Sequence, residues 1–241
     1  MMTSNEYVEE AIENVPANSS DLEVRVDLPG VKVGIVEAAG IRAAGVAPEL
    51  HQQMDVTCER LRNQHSWDSL RQWEPVHMVR EVFRSWGMDP SKYRPSSEAL
   101  LRRVIKGETL PTISTIVDIG NLGALEMGWP YGCYNREKIS RFIEIRFGKS
   151  GEQYAGIGRQ MMRMEGRPVF SDADGPFGSP VTDSSRTMVT DSTRNLLAIV
   201  CAPVNSCELK LEDAMSKFAE RVVLWCGAEN IQKRIVKGVA R

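Results

Sequence analysis

The sequence lacks the short motifs that mark the common metal, nucleotide and hydrolase sites. It contains no HExxH, no CxxC and no acidic calcium loop, so a metal site would need ligands scattered along the chain. It also contains no Walker-type loop, no GxGxxG and no GxSxG. We therefore expect neither a metal ion nor another cofactor, and the local motifs by themselves assign no reaction.

Histidine and cysteine are scarce. The three histidines, His51, His65 and His77, lie in the first third of the chain and are interpreted as structural or surface residues. The five cysteines show no close pairing, which suits a reducing compartment and predicts a cytoplasmic location. Cys133 is a candidate nucleophile, but no histidine is near it in the sequence, so a buried small residue is the favoured interpretation.

Long apolar runs and an excess of one charge are absent as well. No apolar run approaches the roughly 18–20 residues that span a bilayer, and the acidic N-terminus lacks the apolar region of a signal peptide. The formal net charge of −2 argues against a broad basic face for nucleic acid and leaves room for a local patch. With 42% hydrophobic and 26% charged residues, the composition is typical of a soluble globular protein without a membrane partner.

Helical periodicity dominates the first half of the chain. After a polar lead at residues 1–27, the segment VKVGIVEAAGI alternates Val31, Val33 and Ile35 and predicts a strand. Three helices are then predicted from apolar residues at helical spacing: Leu50, Met54, Cys58 and Leu61; Val76, Val79, Phe83 and Trp86; Leu100, Leu101, Val104 and Ile105. Glu98 and Arg102 are predicted to pair on the outer face of the third helix.

The second half mixes strands with two further helices. Ser114 is predicted to cap a helix that ends near Gly128, and FIEIRF, RPVFS and RNLLAIVC are predicted strands. A C-terminal helix that ends at Gly227 is predicted to pack onto the sheet. The pattern predicts one α+β domain over residues 28–230, with a mixed sheet flanked by helices, and a solvated basic tail at 231–241.

One stretch, DIGNLGALEMGWPYGCYN, begins as a helix and then concentrates Trp129, Tyr131, Cys133 and Tyr134 behind a glycine. It lies within the run from Tyr93 to Ile139, and a second segment reads RPVFSDADGPFGSPV followed by SSRTMVTDSTRNLLAIV. Together these segments resemble the B3/4 domain of the phenylalanyl-tRNA synthetase beta subunit, and more closely the free-standing proteins made of that domain. The resemblance covers about residues 28–203.

The resemblance implies an editing module that hydrolyses tyrosine wrongly attached to phenylalanine tRNA. The threonine–asparagine pair of the family's pocket corresponds here to Gly120 and Asn121, and the pocket histidine, eleven residues after the asparagine, to Gly132. The family's glutamate falls on or beside Ile199, and an arginine- and tryptophan-rich strand of the free-standing relatives has become GPFGSPVTD. The resemblance therefore predicts an amino-acid pocket that is larger, more apolar and without most of its hydrolytic groups.

Three functions fit that prediction. The first is a repurposed enzyme for an aromatic amino acid or its amine, with Pictet–Spengler condensation with an aldehyde as the specific reaction. The second is a deacylase that edits mischarged tRNA, and the third is a non-catalytic module that binds an amino acid or a tRNA end. An amino-acid-like molecule and tRNA are thus the candidate partners, and the oligomeric state is left open.

The condensation needs a carboxylate that stabilises the iminium or removes the final ring proton. The candidate catalytic residues are Asp172, Asp174 and Glu126, although the first two also form an ordinary turn. Residues predicted to bind the substrate come from the two resembling segments: Gly120, Asn121, Tyr131, Gly132, Cys133, Tyr134, Ser179 and Arg186.

Overall fold

The computed structural model describes residues 22–43, 45 and 47–238. Within them the chain forms two four-stranded sheets and a short two-stranded one. The ten strands are β1 (Glu23–Val26), β2 (Val31–Ala39), β3 (Tyr131–Asn135), β4 (Phe142–Phe147), β5 (Gln153–Ala155), β6 (Met161–Arg163), β7 (Pro168–Asp172), β8 (Gly175–Gly178), β9 (Leu196–Pro203) and β10 (Asn230–Lys237).

Six α-helices accompany these strands in the described part of the chain. They are α1 (Pro48–Gln64), α2 (Trp67–Gln72), α3 (Glu74–Ser85), α4 (Ser96–Ile105), α5 (Thr115–Met127) and α6 (Glu208–Cys226). Two single turns of 3₁₀ helix lie at Arg136–Lys138 and Ser185–Thr187. None of the helices that the structure describes is long and apolar enough to cross a membrane.

The first sheet has the strand order β10-β2-β9-β3 and is antiparallel throughout. The second sheet has the order β1-β4-β7-β8 and is mixed, because β1 runs parallel to β4 while the other pairs are antiparallel. Strand β9 is buried along its whole length, since it is covered on both faces. Leu196, Ala198 and Val200 pack with the helices, and Leu197 and Ile199 pack with the second sheet.

Helix α6 approaches the first sheet very closely at one glycine. A Cβ atom on Gly34 would lie 2.6 Å from the sulfur of Met215, so any larger residue there would require the Met215 side chain to move. Leu211, Met215 and Phe218 fill the space along the same face of α6. The predicted packing of the C-terminal helix onto the sheet is confirmed.

Most of the predicted elements are present. Strand β2 covers the predicted alternation, and α1 buries the predicted face of Leu50, Met54, Cys58 and Leu61. The side chain of Ser114 caps α5, which ends at Gly128 with a left-handed φ of 70°. Helices outside a mixed sheet make this an α+β domain, as predicted.

Three sequence-based expectations were wrong. The segment expected to be a solvated tail forms β10, which pairs along the whole of β2. The end of the expected polar lead forms β1, which pairs with β4, whereas residues 1–21 lie outside the described part. Glu98 does not lie on an outer face: its side chain is 2% exposed and pairs with Arg80 at 2.7 Å, because α4 packs between other helices.

Candidate functional site

Strand β3 and helix α5 together carry the segment that resembles the family's pocket. Side chains alternate along β3, so Tyr131 and Cys133 face the helices while Tyr134 faces the second sheet. A Cβ on Gly120 would lie 2.9 Å from the Cys133 sulfur, and one on Gly123 would lie 2.9 Å from the Tyr131 ring. These glycines therefore let α5 approach β3, and the space beside Gly120 is occupied by Cys133.

Tyr134 fills the space on the other face of β3. Its side chain is fully buried, and its ring meets the Phe177 ring edge-on at a centroid distance of 5.0 Å. A Cβ on Gly132 or on Gly178 would overlap the Tyr134 hydroxyl. The prediction that the loss of a side chain at Gly132 enlarges the pocket is wrong on this face, because Tyr134 takes that volume.

The Tyr134 hydroxyl donates a hydrogen bond to Oδ1 of Asp183, at 2.5 Å. The residue is partly exposed, but Oδ1 lies against Gly178 and the tyrosine. Burial raises the pKa of Asp183 to about 7, and the hydrogen bond from Tyr134 offsets only part of this rise. Near neutral pH this carboxyl is therefore divided between its acid and its base form.

A tight loop between β8 and the second 3₁₀ turn positions Asp183. The Ser179 hydroxyl oxygen accepts the Val181 and Thr182 backbone N–H groups at 3.2 and 3.1 Å. The Tyr154 hydroxyl donates to the Thr182 carbonyl at 2.8 Å, and the carbonyl of Asp183 itself accepts the Ile157 N–H at 3.0 Å. The predicted site residues Ser179 and Tyr134 therefore belong to one cluster with Asp183.

Asp172, Asp174 and Arg186 form a separate group at the β7–β8 turn. The Arg186 guanidinium contacts Oδ1 of Asp172 at 2.7 Å, and the same carboxylate accepts the Ser140 N–H at 3.1 Å. Asp174 is 73% exposed and lies 3.6 Å from Arg186. The structure thus gives Asp172 and Arg186 partners that fix the turn, and their roles in catalysis and binding stay predictions.

Glu126 lies away from both groups. It forms a two-bond ion pair with Arg221 of α6, at 2.7 and 2.8 Å. It borders a surface groove of about 550 Å³ that Trp73, Met78 and other residues of the helical layer also line. Glu126 therefore does not belong to the Asp183 cluster, and its catalytic role stays a prediction.

The other predicted binding residues, Asn121, Tyr131 and Cys133, make few polar contacts. Asn121 is partly exposed on α5 and makes no side-chain hydrogen bond within the described ranges. The Tyr131 hydroxyl is buried without a hydrogen-bond partner there, and burial raises its pKa strongly. Burial also raises the pKa of Cys133, which keeps its thiol neutral and disfavours a nucleophilic role.

Two acidic residues escaped the sequence-based reasoning. Asp118 is fully buried beside His51, with 3.5 Å between Oδ2 and the imidazole Nε2, and burial raises its pKa. Asp183 follows a Ser-Pro-Val-Thr run that is typical of a loop, and only the folded chain brings it to Tyr134. Among the described residues no cluster of three His, Cys, Asp or Glu side chains could hold a metal ion.

The comparisons with known proteins point to one domain family and to phenylalanyl-tRNA synthetase beta subunits. The family model of the B3/4 domain matches residues 78–241. A phenylalanine–tRNA ligase beta subunit from Streptomyces avermitilis is 28% identical over 130 residues, which are 53% of this chain and 15% of the ligase subunit. An N-terminal fragment of the phenylalanyl-tRNA synthetase beta subunit from Pyrococcus horikoshii matches at TM-score 0.46 and 15% identity, covering 97% of this chain and 59% of that fragment.

The chain therefore spans about one seventh of the length of the curated relative that it matches. The family model, in contrast, covers well over half of this chain, from α3 onward. It includes α5, β3 and the loop of Asp183, which carry the cluster described above. The chain belongs to the B3/4 domain family.

Proposed function

We propose that this B3/4 protein is an enzyme that acts on an aromatic amino acid or an amine derived from one, with Asp183 as its acid–base group. The observation that carries the proposal is the Asp183 carboxyl, which accepts a hydrogen bond from the Tyr134 hydroxyl at 2.5 Å and whose pKa burial raises to about 7. Perturbed carboxyls of this kind are concentrated at functional sites. The two glycines beside the Tyr134 hydroxyl make this geometry available, since a side chain at either position would displace it.

The specific reaction that we propose is a Pictet–Spengler condensation. The substrate amine adds to the aldehyde carbon, and the protonated Asp183 gives its proton to the hydroxyl that leaves as water. The resulting iminium is attacked by the aromatic ring, which forms the new carbon–carbon bond. Ionised Asp183 then takes the proton from the ring carbon, which restores aromaticity and returns the carboxyl to its starting form.

A carboxyl near neutral pKa suits both halves of this cycle. The ionised carboxylate also stabilises the positively charged iminium by electrostatic attraction. This attraction is stronger at a partly buried position than in water. Tyr134 is then a positioning residue, because its hydroxyl holds Oδ1 of Asp183 and touches no reacting atom in this scheme. The substrate class is an arylethylamine, in keeping with the aromatic amino acid that the resemblance implies for the family's pocket.

Hydrolysis of mischarged tRNA is the alternative that the family resemblance supplies. Against it stands Gly132 at the position of the family's histidine, with Tyr134 in the volume where a side chain would lie. In its favour stands Asn121, the one residue retained from the threonine–asparagine pair, which is accessible on α5. Binding without turnover is the remaining alternative.

The test is a product assay with tryptophan and tryptamine against a panel of aldehydes, read by mass spectrometry. Condensation yields a product with the mass of amine plus aldehyde minus water, and chiral chromatography separates enzymatic from spontaneous product. We expect Asp183→Asn to abolish the enzymatic product and Tyr134→Phe to weaken it, whereas Glu81→Gln, a change in an exposed carboxylate of α3, retains it.

Each alternative has its own outcome. Rapid deacylation of mischarged tyrosyl-tRNA, lost in Asn121→Ala, would support editing and overturn the condensation. Absence of any enantiomerically enriched product across the panel, with protein that is folded by circular dichroism, would also overturn it. An Asp183→Asn protein that still forms the product at the wild-type rate would remove the proposed acid–base group.

A further inference from the structure

A cavity of about 200 Å³ lies beside the Asp183 loop and is not used by the proposed chemistry. Its walls come from the segment before α4, the β5–β6 hairpin, the start of β7 and the loop after β8. The lining residues are Met88, Lys92, Tyr93, Arg159, Met162, Met164, Arg167, Pro168, Ser179, Val181 and Thr182. The Asp183 loop itself lines the cavity through Ser179, Val181 and Thr182, and the Tyr154 hydroxyl donates a hydrogen bond to the Thr182 carbonyl.

The inner part of the cavity is apolar and deformable. Three methionines, Met88, Met162 and Met164, lie with Tyr93 and Val181 along it. Methionine sulfur and its flexible side chain adapt to flat aromatic groups better than branched side chains do. At about 30 Å³ for each water in the liquid, the volume corresponds to roughly seven waters, so one or two fused rings fit.

The outer part carries three cations. Lys92 and Arg159 are exposed, and Arg167 is half-buried. The Arg167 guanidinium lies 4.7 Å and the Lys92 ammonium 5.5 Å from the centroid of the same Tyr93 ring. Within the part of the chain that the structure describes, no carboxylate lies within ion-pair distance of any of the three cations.

Two cations beside one ring repel each other, and among the described residues neither of them forms an ion pair within 4.0 Å. An anion placed at the mouth would relieve that repulsion, and a guanidinium can bind a carboxylate through two parallel hydrogen bonds. The apolar wall would also bury an aromatic ring of the ligand, and that burial contributes binding energy that a simple inorganic anion cannot provide. Charge and apolar surface therefore select the same ligand, a ring with a carboxylate attached.

We propose that this cavity binds a small aromatic carboxylate, with Arg167 as the main anion contact and the methionines around the ring. The proposal concerns binding alone and stands whether or not Asp183 catalyses a condensation. A ligand in this place contacts Ser179 and Thr182, which precede Asp183 in the loop. The protein then recognises an aromatic acid in addition to an amine.

The probe is 1-naphthoate, with neutral 1-naphthamide as its matched control, titrated by calorimetry at low salt. We expect naphthoate to bind about tenfold or more tightly than the amide, because a charge-assisted hydrogen bond contributes about 1.5–3 kcal/mol. Arg167→Gln and Arg159→Gln should each weaken naphthoate binding. Arg163→Gln, an exposed change in the same hairpin, should leave it within about twofold of wild type.

The outcomes separate this proposal from the proposed reaction. Asp183→Asn should bind naphthoate as the wild type does, so loss of turnover and loss of binding are distinguishable. Equal binding of acid and amide, equal losses in the Arg163 and Arg167 variants, or no naphthoate binding would each overturn the proposal. Tight, salt-sensitive binding of a short RNA that displaces naphthoate would assign the three cations to phosphate and would also overturn it.

Discussion

Replacing Asp183 by asparagine should make the folded protein more stable than the wild type, and more so as the pH rises. The wild-type carboxyl has its pKa raised by burial from 3.8 to about 7 in the folded chain. Folding therefore favours its protonated form, and stability is lost as the pH rises from the unfolded towards the folded pKa. Asparagine keeps an oxygen that can accept the Tyr134 hydrogen bond and carries no charge.

The magnitude follows from the same linkage. Between about pH 5 and pH 7 the unfolded carboxyl is already ionised while the folded one is still mostly protonated. Each pH unit in that window costs the wild type about 1.4 kcal/mol relative to the neutral variant. After a discount for the partial exposure of the residue, we expect the variant to gain about 2 kcal/mol across the window.

The assay is urea unfolding of the wild type and Asp183→Asn, followed by tryptophan fluorescence at pH 5, 6, 7 and 8. The difference in unfolding free energy between the two proteins cancels the contributions of all other titrating groups that the substitution does not affect. Asp174→Asn is the control, because that carboxylate is 73% exposed and its stability difference should stay flat. A difference for Asp183→Asn that is constant from pH 5 to 8 would refute a raised pKa and remove the basis of the proposed function.

Contacts elsewhere in the fold set three more expectations. Glu98→Ala should lower the free energy of unfolding in urea by about 3 kcal/mol or more, because it removes the carboxylate that lies 2.7 Å from the buried Arg80 guanidinium. A loss below about 1 kcal/mol would contradict this expectation. Gly120→Thr should cost about 1–3 kcal/mol through overlap with Cys133, and Cys133→Ala in the same chain should recover part of that loss. Deleting Asn230–Lys237 should lower the melting temperature and cause aggregation that size-exclusion chromatography detects, because the deletion exposes the edge of β2. An unchanged melting temperature would restore the interpretation of this segment as a solvated tail.

The helices could be predicted because their signals are local. Ser114 and Gly128 lie at the two ends of α5, and the cap and the left-handed stop that they provide need no distant partner. The strand β10 was missed for the opposite reason. Its residues are mostly charged or half-buried, and pairing with β2 rather than an apolar pattern makes them a strand.

The candidate site was only partly predictable. The resemblance to the B3/4 domain implied Gly132, Tyr134 and Ser179 as pocket residues, and the structure brings the last two into one cluster. The carboxylate of that cluster, Asp183, lies 49 residues from Tyr134, and nothing in its loop sequence signals a buried position. Asp172 was the more visible candidate, yet Arg186 and backbone N–H groups already satisfy it.

The substitutions at the pocket depend on one another. Tyr134 reaches Asp183 only because Gly132 and Gly178 both lack a Cβ, so a histidine at 132 cannot coexist with the tyrosine hydroxyl in this position. A histidine at position 132, which the resemblance implies for the family, would therefore displace the donor that holds Asp183. On our proposal this chain has exchanged one acid–base group for another in the same small volume, and the glycine that replaces the histidine is part of the new site.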